Sequence, residues 1–390
     1  MRLPLDLRAH FRRFIEAEPG RIHLAAHSHH YWPDVAFEAQ KEAWIDAALL
    51  ADEKWGPIFS ELIPRVQRGI ARILNLPDPS TIAFAPNTHD FVRRLLSALP
   101  NGRPTRILTS DGEFHSLTRQ LARLEEDGLV AVERIATKPF DTFEERFCEA
   151  AAKSGHDLVY VSQGFFDSGT AAGDLTNLVE AVRDAETLIA IDGYHGFMAL
   201  PTDLSAIAER AFYVAGGYKY AMSGEGACFM HCPPGYGPRP RDTGWFAAFG
   251  ALASKQSGVP YGKDGTRFLG ATFDPSGLYR MRAVLEWMES IGLTVEAIHH
   301  HSTLLQHRFL AGLGVSPTLA AARLVTPADG PLRSNFLTFQ TPNATKLHEA
   351  LMARRVVTDV RGERIRFGFG CYLVPEDVDR ALERLSGLRI

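Results

Sequence analysis

From about residue 80, short apolar runs alternate with stretches of helical periodicity, and this alternation constrains the fold more than any other feature of the chain. Runs of four to six residues, bounded by polar or turn residues and separated by helices, predict parallel strands that are buried on both faces of one sheet. The chain is therefore predicted to be an α/β protein with a mostly parallel sheet between helices. The predicted strands are Thr81–Ala85, Arg106–Ser110, Leu158–Ser162, Leu188–Asp192, Ala211–Ala215 and Ala227–Met230.

The C-terminal part has a different pattern, from which we predict a small α+β domain. A chain of 390 residues is expected to form two domains. We assign residues 50–280 to the large domain, and residues 1–49 together with 281–390 to the small domain and N-terminal segment. The large domain includes a looser Gly- and Pro-rich stretch, Cys232–Phe268. Other predicted elements are an extended piece at Ile22–Ala26, strands at Asn335–Gln340 and Arg364–Phe369, and helices over Leu62–Leu74, from Ser276 to about Gly312, over Ala344–Ala353 and after Pro375.

Charge and cysteine content argue against several classes of protein. The 42 Lys and Arg residues against 46 Asp and Glu residues give a net charge of −4, which lacks the basic surplus of a nucleic-acid or anionic-membrane binder. No apolar run is long enough to span a membrane, and the N-terminal residues do not resemble a secretory signal. The few cysteines fit a reducing cytoplasm, which is the predicted location. Four scattered cysteines do not form a disulfide framework. Cys228 and Cys232 are expected to be buried thiols, and no metal site is predicted.

Polar or aromatic residues follow five of the predicted strands, at the edge where ligands bind in parallel α/β sheets. Each has an ordinary structural alternative: Thr88 can cap a helix, Asp192 can be a surface acid, and Lys219 can be a solvated lysine. Their convergence on one sheet edge favours a binding site. In strand order they are Asn87, Thr88 and His89; Phe114; Gln163; Asp192 and His195; and Tyr218 and Lys219.

Asp192 and Lys219 are separated by one strand–helix–strand unit, so both are expected at that edge. Asp192 closes an apolar run, and a carboxylate beside buried residues usually has a cationic partner or a ligand. Lys219 follows a Gly-Gly turn and lies between two tyrosines, surroundings that can lower the pKa of an amine. Together with a helix start at Thr88 that can bind phosphate, these residues suggest pyridoxal phosphate, which needs a Schiff-base lysine, an acid for its pyridine nitrogen and an anion site.

The stretch of about residues 80–275 resembles the class V aminotransferase group of fold-type-I pyridoxal-phosphate enzymes, and within it the kynureninase subgroup. The segment Ile-Asp192-Gly-Tyr-His195-Gly resembles the D-x-x-H motif of that subgroup, and Tyr218-Lys219-Tyr220 resembles its Y-K-Y signature. Gly244-Trp245-Phe246 resembles its G-W-[WF] segment, and Phe268–Thr272 resembles a loop that reaches the phosphate of the partner subunit. The resemblance implies a sheet of the seven-stranded type, an amino-acid substrate and a homodimer with shared active sites.

The resemblance also implies a role for each matched residue. Lys219 is the lysine that bonds to the cofactor, Asp192 pairs with the pyridine nitrogen, and His195 lies beside the ring or phosphate. Phe114 stacks on the ring, and Arg366 grips the substrate α-carboxylate, for which a bidentate guanidinium is suited. The other cofactor-binding candidates are Asn87, Thr88, His89, Gln163 and Tyr218 and, across a dimer interface, Trp245 and Thr272.

The implied function is that of a pyridoxal-phosphate enzyme that acts on an α-amino acid through external aldimine and quinonoid intermediates, with kynureninase-like hydrolytic cleavage of a Cβ–Cγ bond. A class V aminotransferase or another β-side-chain lyase shares the early steps and stays an alternative. A cysteine desulfurase is disfavoured, because these relatives need a reactive cysteine on a loop before the small-domain strand. The corresponding stretch, Thr326–Ser334, contains no cysteine. A nicotinamide-dependent Rossmann enzyme is disfavoured, because it needs a G-x-G-x-x-G motif after an early strand. Here Gly216-Gly217 is followed by Tyr and Lys instead. A non-catalytic relative would often lack the lysine or the arginine, and both are present.

Two groups of histidines lie outside the matched motifs. The N-terminal segment Ala26-His27-Ser28-His29-His30-Tyr31-Trp32 takes the place of a loop near the substrate in the resembled family. His27 and His29 are therefore substrate-binding candidates, with a purely structural loop as the alternative. His299–His301 falls in a predicted helix and is expected at the surface.

Overall fold

The computed structural model describes residues 5–235, 239–251 and 258–388. Parts of the predicted looser stretch, residues 236–238 and 252–257, lie outside the described residues. The centre of the described chain is a seven-stranded sheet, in which Cys228–His231 runs antiparallel to both of its neighbours and the other strands run parallel to one another. The strand order is Ile82–Ala85, Cys228–His231, Phe212–Gly216, Leu188–Asp192, Leu158–Ser162, Thr105–Ser110 and Val130–Ile135.

The side chains of the central strands alternate between two apolar layers. In Leu158–Ser162, for example, Val159 and Val161 pack into one layer, and Leu158 and Tyr160 pack into the other. Burial on both faces accounts for the unbroken apolar runs of the sequence. Leu158–Ser162 and Leu188–Asp192 have the predicted bounds. Ile82–Ala85 and Thr105–Ser110 differ from the predicted strands by one residue at the start, and Phe212–Gly216 and Cys228–His231 begin and end one residue later than predicted.

The C-terminal part contains a four-stranded antiparallel sheet. Its strand order is Arg323–Leu324, Phe336–Gln340, Arg364–Gly368 and Asp359–Arg361. The N-terminal strand Ile22–His23 pairs in parallel with Val356–Val357, so the first residues of the chain join this part of the molecule. Residue 280, the predicted domain boundary, falls inside the helix Ser276–Ser290.

The prediction of one helix from Ser276 to about Gly312 is wrong, because the structure has two helices, Ser276–Ser290 and Val295–Ala311. Gly292, at φ +64°, turns the chain between them, and the Thr294 hydroxyl accepts the amide of Ala297 as an N-cap. No helix within the described ranges has the length and apolar composition to cross a membrane. The other α-helices of those ranges are Arg12–Ala17, Asp34–Leu50, Trp55–Pro57, Ile63–Leu74, Thr88–Ala98, His115–Glu126, Phe143–Ala151, Leu175–Glu180, Pro317–Ala320, Ala344–Ala353 and Pro375–Leu385.

The histidines of the helix Val295–Ala311 also differ from expectation. His300 is exposed, but His301 is buried, so the predicted surface position is wrong for His301. Its Nδ1 accepts the amide of Leu5, and its Nε2 lies 2.9 Å from the carbonyl oxygen of Leu373. Consecutive residues of a helix point in different directions, and this one turns an imidazole into the core.

Candidate active site

A cavity of about 470 Å³ lies at the carboxyl ends of the parallel strands. Side chains from the N-terminal segment, the large sheet and the small sheet all line its wall. The predicted site residues among them are His27, Asn87, Thr88, Phe114, Asp192, His195, Tyr218, Lys219 and Arg366. The lining also includes Ser28, Pro86, Ser162, Gly164, Phe166, Tyr194, Glu225, Gly226, Cys228 and Arg361, which the sequence analysis did not assign to the site.

Lys219 follows the strand Phe212–Gly216 and enters the cavity beside three rings. Its Nζ lies 2.5 Å from Nε2 of His195, 4.7 Å from the ring centre of Tyr194 and 5.5 Å from that of Phe114. Burial lowers the pKa of Lys219 to about 7, against the opposing effect of the Asp192 carboxylate. Burial likewise lowers the pKa of His195 well below its usual range, with a further contribution from Lys219. The amine is therefore available as a nucleophile or proton carrier near neutral pH.

Asp192 ends the strand Leu188–Asp192 and points its carboxylate at the same cavity. Its Oδ1 accepts the amide of Tyr194 at 2.9 Å, and its Oδ2 accepts the hydroxyl of Tyr160 at 3.2 Å. Burial raises its pKa, while the Tyr194 amide and the charge of Lys219 oppose that rise. Asp192 forms no ion pair with any described residue. A buried carboxylate in this state is suited to a cationic group of a ligand.

The helix Thr88–Ala98 begins at the cavity, where its first amides are available to an anion. Asn87 is its N-cap, because the Asn87 Oδ1 accepts the amide of Asp90 at 2.9 Å. The alternative that Thr88 caps this helix is therefore wrong, and Thr88 lies on the cavity wall. His89 is partly buried outside the lining, and its Nδ1 has no hydrogen-bond partner among the described residues.

The small sheet contributes Arg366, whose guanidinium is held from two sides. It donates to the carbonyl of Phe166, and it forms an ion pair with Asp359, which lies opposite it in the β-ladder. The Nε2 of His27 lies 3.6 Å from the same carboxylate. Burial alone would raise the pKa of Asp359, but His27 and Arg366 hold it well below its usual range. Burial and the charge of Arg366 lower the pKa of His27 to about 3, so this imidazole is neutral near pH 7.

Gln163 is placed differently from its sequence-based assignment, because it does not line the cavity. Its Nε2 donates to the hydroxyl of Thr202, and its Oε1 accepts the hydroxyl of Tyr213, each at 2.8 Å. The preceding residue, Ser162, faces the cavity instead and lies in register with Asp192 on the next strand. This difference follows from the alternation of side chains along a strand.

Trp245, Thr272 and His29 also lie outside the lining of this cavity. The indole Nε1 of Trp245 donates to the hydroxyl of Thr272 at 3.2 Å, and Trp245 is 45% exposed. His29 stands edge-on to the ring of Tyr218, with 5.2 Å between the ring centres. His29 therefore packs against a residue of the cavity wall, whereas the Trp245–Thr272 pair lies at the surface of the described chain.

Cys228 and Cys232 are both buried, and burial raises the pKa of each thiol to about 12. Cys228 lines the cavity, with its Sγ 3.7 Å from the hydroxyl of Tyr194. Within the described part of the chain, no cluster of three or more histidine, cysteine or acidic residues has an arrangement suited to a metal ion.

Sequence relatives of the chain are kynureninases. The family model of the kynureninase C-terminal domain matches residues 298–385. The kynureninases of Burkholderia mallei (strain SAVP1) and Burkholderia pseudomallei (strain K96243) are each 28% identical over 201 residues, which are 50% of this chain and 47% of theirs. The matched part of the chain therefore spans about half the length of these curated relatives.

Solved structures match over almost the whole chain. A mutant of C-DES with glycine covalently linked to its pyridoxal-phosphate cofactor has a TM-score of 0.81 at 17% identity, covering 99% of this chain and 100% of that one. The apo cysteine desulfurase from Thermococcus onnurineus NA1 has a TM-score of 0.78 at 16% identity, covering 98% and 97%. The predicted fold, that of fold-type-I pyridoxal-phosphate enzymes, is confirmed. The predicted resemblance to the class V group near the kynureninases is confirmed as well.

Proposed function

We propose that this chain is a pyridoxal-phosphate enzyme that acts on an α-amino acid, with kynureninase-like hydrolysis of a Cβ–Cγ bond as its reaction. The observation that carries the proposal is the pair formed by Lys219, an amine whose pKa is about 7, and Asp192, a buried carboxylate without a cationic partner among the described residues. Both face one cavity at the carboxyl edge of the sheet. When bound, pyridoxal phosphate supplies an aldehyde for a primary amine and a pyridinium ring that withdraws electrons from the substrate Cα.

The residues of the cavity fit the parts of this cofactor. Lys219 provides the amine for the aldehyde, and Asp192 provides a carboxylate for the pyridine nitrogen. The helix start at Thr88, together with the hydroxyl of Tyr218, provides donors for the phosphate. Phe114, 41% exposed, presents an aromatic face to the same space.

Arg366 and Lys219 have complementary tasks toward the substrate. Arg366 binds the substrate α-carboxylate. This carboxylate replaces some of the hydrogen bonds that the guanidinium now makes to Asp359 and to the carbonyl of Phe166. Lys219 is then the base nearest to the reacting carbon, and near pH 7 it can accept a proton and return it. His195, 2.5 Å from Nζ, holds the amine in place between these transfers.

We also propose a homodimer in which the Trp245–Thr272 pair completes the phosphate site of the partner subunit. The position of this pair outside the cavity of its own protomer supports the proposal, as does the exposure of Trp245. The cytoplasm remains the proposed location, since the free thiols of Cys148, Cys228, Cys232 and Cys371 suit a reducing compartment.

The thiol chemistry of the chain disfavours a cysteine desulfurase, although C-DES and the desulfurases share the fold. Thr326–Ser334 has no cysteine. Cys371 is buried beside the sulfur of Met222, and burial raises the pKa of Cys371 to about 12. Burial raises the pKa of the cavity thiol, Cys228, equally far, and a thiol in this state is a poor nucleophile.

The test is the visible absorption spectrum of the purified protein with pyridoxal phosphate, before and after addition of L-kynurenine. The proposal expects a cofactor band that changes with substrate, together with release of anthranilate. A band without anthranilate keeps the cofactor but contradicts the hydrolysis, and favours transamination or another β-side-chain reaction. The absence of a band at saturating pyridoxal phosphate contradicts the cofactor itself.

A further inference from the structure

Glu113 is a buried carboxyl group behind the cavity wall, in the turn between the strand Thr105–Ser110 and the helix His115–Glu126. It is 2% exposed. Its Oε1 accepts the hydroxyl of Ser110 at 2.6 Å and the amide of Ser162 at 3.1 Å, and its Oε2 accepts the hydroxyl of Ser162 at 2.6 Å. In the described ranges no Lys, Arg or His forms an ion pair with it. A carboxyl group bound only by neutral donors is uncommon in a protein interior.

Ser162 connects this carboxyl group to the cavity. It is the last residue of the strand Leu158–Ser162, it pairs in register with Asp192, and it lines the cavity. Its hydroxyl therefore has Glu113 on one side and the ligand space on the other. A hydroxyl group has one hydrogen to donate, so Ser162 can donate to only one of the two at a time.

We propose that Glu113 is a positioning residue whose protonation decides whether the Ser162 hydroxyl donates or accepts a hydrogen bond at the cavity. When Glu113 is ionised, the Ser162 hydroxyl donates its hydrogen to Oε2, and the Ser162 oxygen presents only lone pairs to the cavity. When a proton from solvent binds to Oε2, Glu113 donates to the oxygen of Ser162, and the Ser162 hydrogen turns to the cavity. This inference rests on the proposed function, since the group that faces Ser162 is then the bound cofactor.

The surroundings of Glu113 bring its pKa close to neutral pH, so both its ionised and its protonated form are accessible there. Burial raises the pKa of Glu113 to about 7, against the hydrogen bonds from Ser110 and Ser162, and the Asp192 carboxylate raises it further. Tyr160, on the same strand as Ser162, also interacts with Glu113, but burial keeps the pKa of this phenol far above neutrality. Asp192 is therefore the neighbouring carboxyl group that matters, and a cation bound to it would favour ionisation of Glu113.

Glu113→Gln tests the switch with little change in shape. The carboxamide oxygen can accept from Ser110 and from the Ser162 amide, and its NH2 group can donate to the Ser162 oxygen, so Ser162 is locked as a donor to the cavity. Ser162→Ala removes the connection but keeps the carboxyl group. Glu145→Gln is the matched control, since Glu145 is an exposed glutamate of the same domain.

The experiment follows two signals across pH in the protein loaded with pyridoxal phosphate: the infrared band of protonated carboxyl groups and the visible cofactor band. The wild type and Glu145→Gln should show a carboxyl band and a change in the visible band with one shared midpoint. That midpoint should lie below the value of about 7 for the cofactor-free protein, because a cationic group bound at Asp192 favours ionisation of Glu113. Glu113→Gln should lose both transitions. Ser162→Ala should lose the visible transition and keep the infrared one, moved up by roughly one pH unit because the ionised carboxylate has lost a donor.

Each signal can overturn the inference. An infrared transition that is the same in Glu113→Gln and the wild type, or that does not move in Ser162→Ala, shows that Glu113 does not titrate against Ser162. A visible transition that persists in both variants shows that the switch does not reach the cofactor. If no variant and no wild-type sample has a visible band, the proposed cofactor fails, and the shift of the infrared midpoint in Ser162→Ala still decides whether Glu113 is coupled to Ser162.

Discussion

The Nζ of Lys219 lies 2.5 Å from Nε2 of His195, so one hydrogen bond joins two nitrogen bases inside the site. Burial lowers the pKa of both groups, and that of Lys219 falls to about 7. The neutral amine donates to Nε2, which leaves the imidazole hydrogen on Nδ1, a buried atom without a hydrogen-bond partner in the described ranges of the chain. Burial favours the neutral form of the amine and His195 orients it, and the first two predictions depend on this state.

Lys219→Ala should abolish covalent attachment of pyridoxal phosphate, because it removes the amine from the cavity. The measurement is borohydride reduction of the loaded protein followed by peptide mass spectrometry, with the visible band as a second readout. Lys263→Ala, at an exposed lysine, is the control and should be labelled like the wild type. Labelling of another lysine at wild-type yield in Lys219→Ala would show that Lys219 is not the attachment site.

The rate of cofactor attachment should rise with pH through about 7 and level off above it. The reacting form is the neutral amine, and burial lowers the pKa of Lys219 to about 7 from the ordinary lysine value of 10.5. The initial rate of appearance of the visible band, measured across pH after addition of pyridoxal phosphate, reports this pKa. A free lysine derivative in the same buffers is the control. A protein profile that follows the control up to the ordinary lysine pKa would contradict the expectation.

The sequence predicts the interior of the large sheet well, because strands buried on both faces leave unbroken apolar runs such as Leu188–Asp192. The strand Val130–Ile135 was missed. It is an edge strand with exposed residues such as Ala131 and Glu133, so its sequence lacks a continuous apolar run. The break in the predicted long helix depends on Gly292 and Thr294, two local signals that the apolar spacing on either side concealed.

Residues of the cavity wall could be predicted where a strand end and a motif coincide, as at Asp192 and Lys219. After the strand Leu158–Ser162 the prediction chose Gln163, whereas the alternation of side chains puts Ser162 on the cavity wall. Asp359 and Glu113 carry no local signal of their own. Their environments are made by residues distant in sequence, His27 and Arg366 around Asp359, and Ser162 beside Glu113, and only the assembled fold shows these contacts.

Arg366→Lys should weaken substrate binding by about ten- to a hundredfold, because the ammonium group of lysine cannot make the two parallel hydrogen bonds of a guanidinium to a carboxylate. The measurement is the dissociation constant for L-kynurenine, read from the change in the cofactor band. Arg364→Lys is a matched control two residues away on the same strand, where the arginine pairs with Asp167 and does not line the cavity.

The decarboxylated analogue of kynurenine separates loss of carboxylate recognition from general damage to the site. If Arg366 binds the α-carboxylate, this amine should bind the wild type and Arg366→Lys with similar affinity. An equal loss of affinity for the amino acid and the amine would remove the assigned role.

The stability of the protein should fall in weak acid, because several buried histidines are neutral in the folded state. Burial lowers the pKa of His301 from 6.5 to about 4, so the unfolded chain binds a proton at this residue that the folded chain does not. The stabilisation is present above pH 6.5 and is lost as the pH falls to about 4, and for one such group it is roughly 3 kcal/mol. His301→Gln should flatten this pH dependence, as measured by denaturant unfolding at several pH values.

His300→Gln is the control for that measurement, since His300 is the exposed neighbour on the same helix. It should change the slope of stability against pH much less than His301→Gln does, because the charge of His300 is only a minor contribution to the lowered pKa of His301. A slope that is unchanged in His301→Gln would show that His301 is not among the groups that link acid to unfolding.

Mixed dimers test whether Trp245 and Thr272 serve the site of the other subunit. One parent carries Lys219→Ala, and the other carries Trp245→Ala with Thr272→Ala. If the Trp245–Thr272 pair acts across the interface, each mixed dimer has one site with all the changes and one site with none. After mixing and subunit exchange, about a quarter of all sites should then be free of substitutions, and cofactor binding at limiting pyridoxal phosphate should return in that proportion. If the pair acts within its own protomer, every site keeps a defect from one parent and no binding returns. Mixing each parent with itself controls for the handling. A mixture that binds no more cofactor than these controls after verified subunit exchange would contradict the shared site.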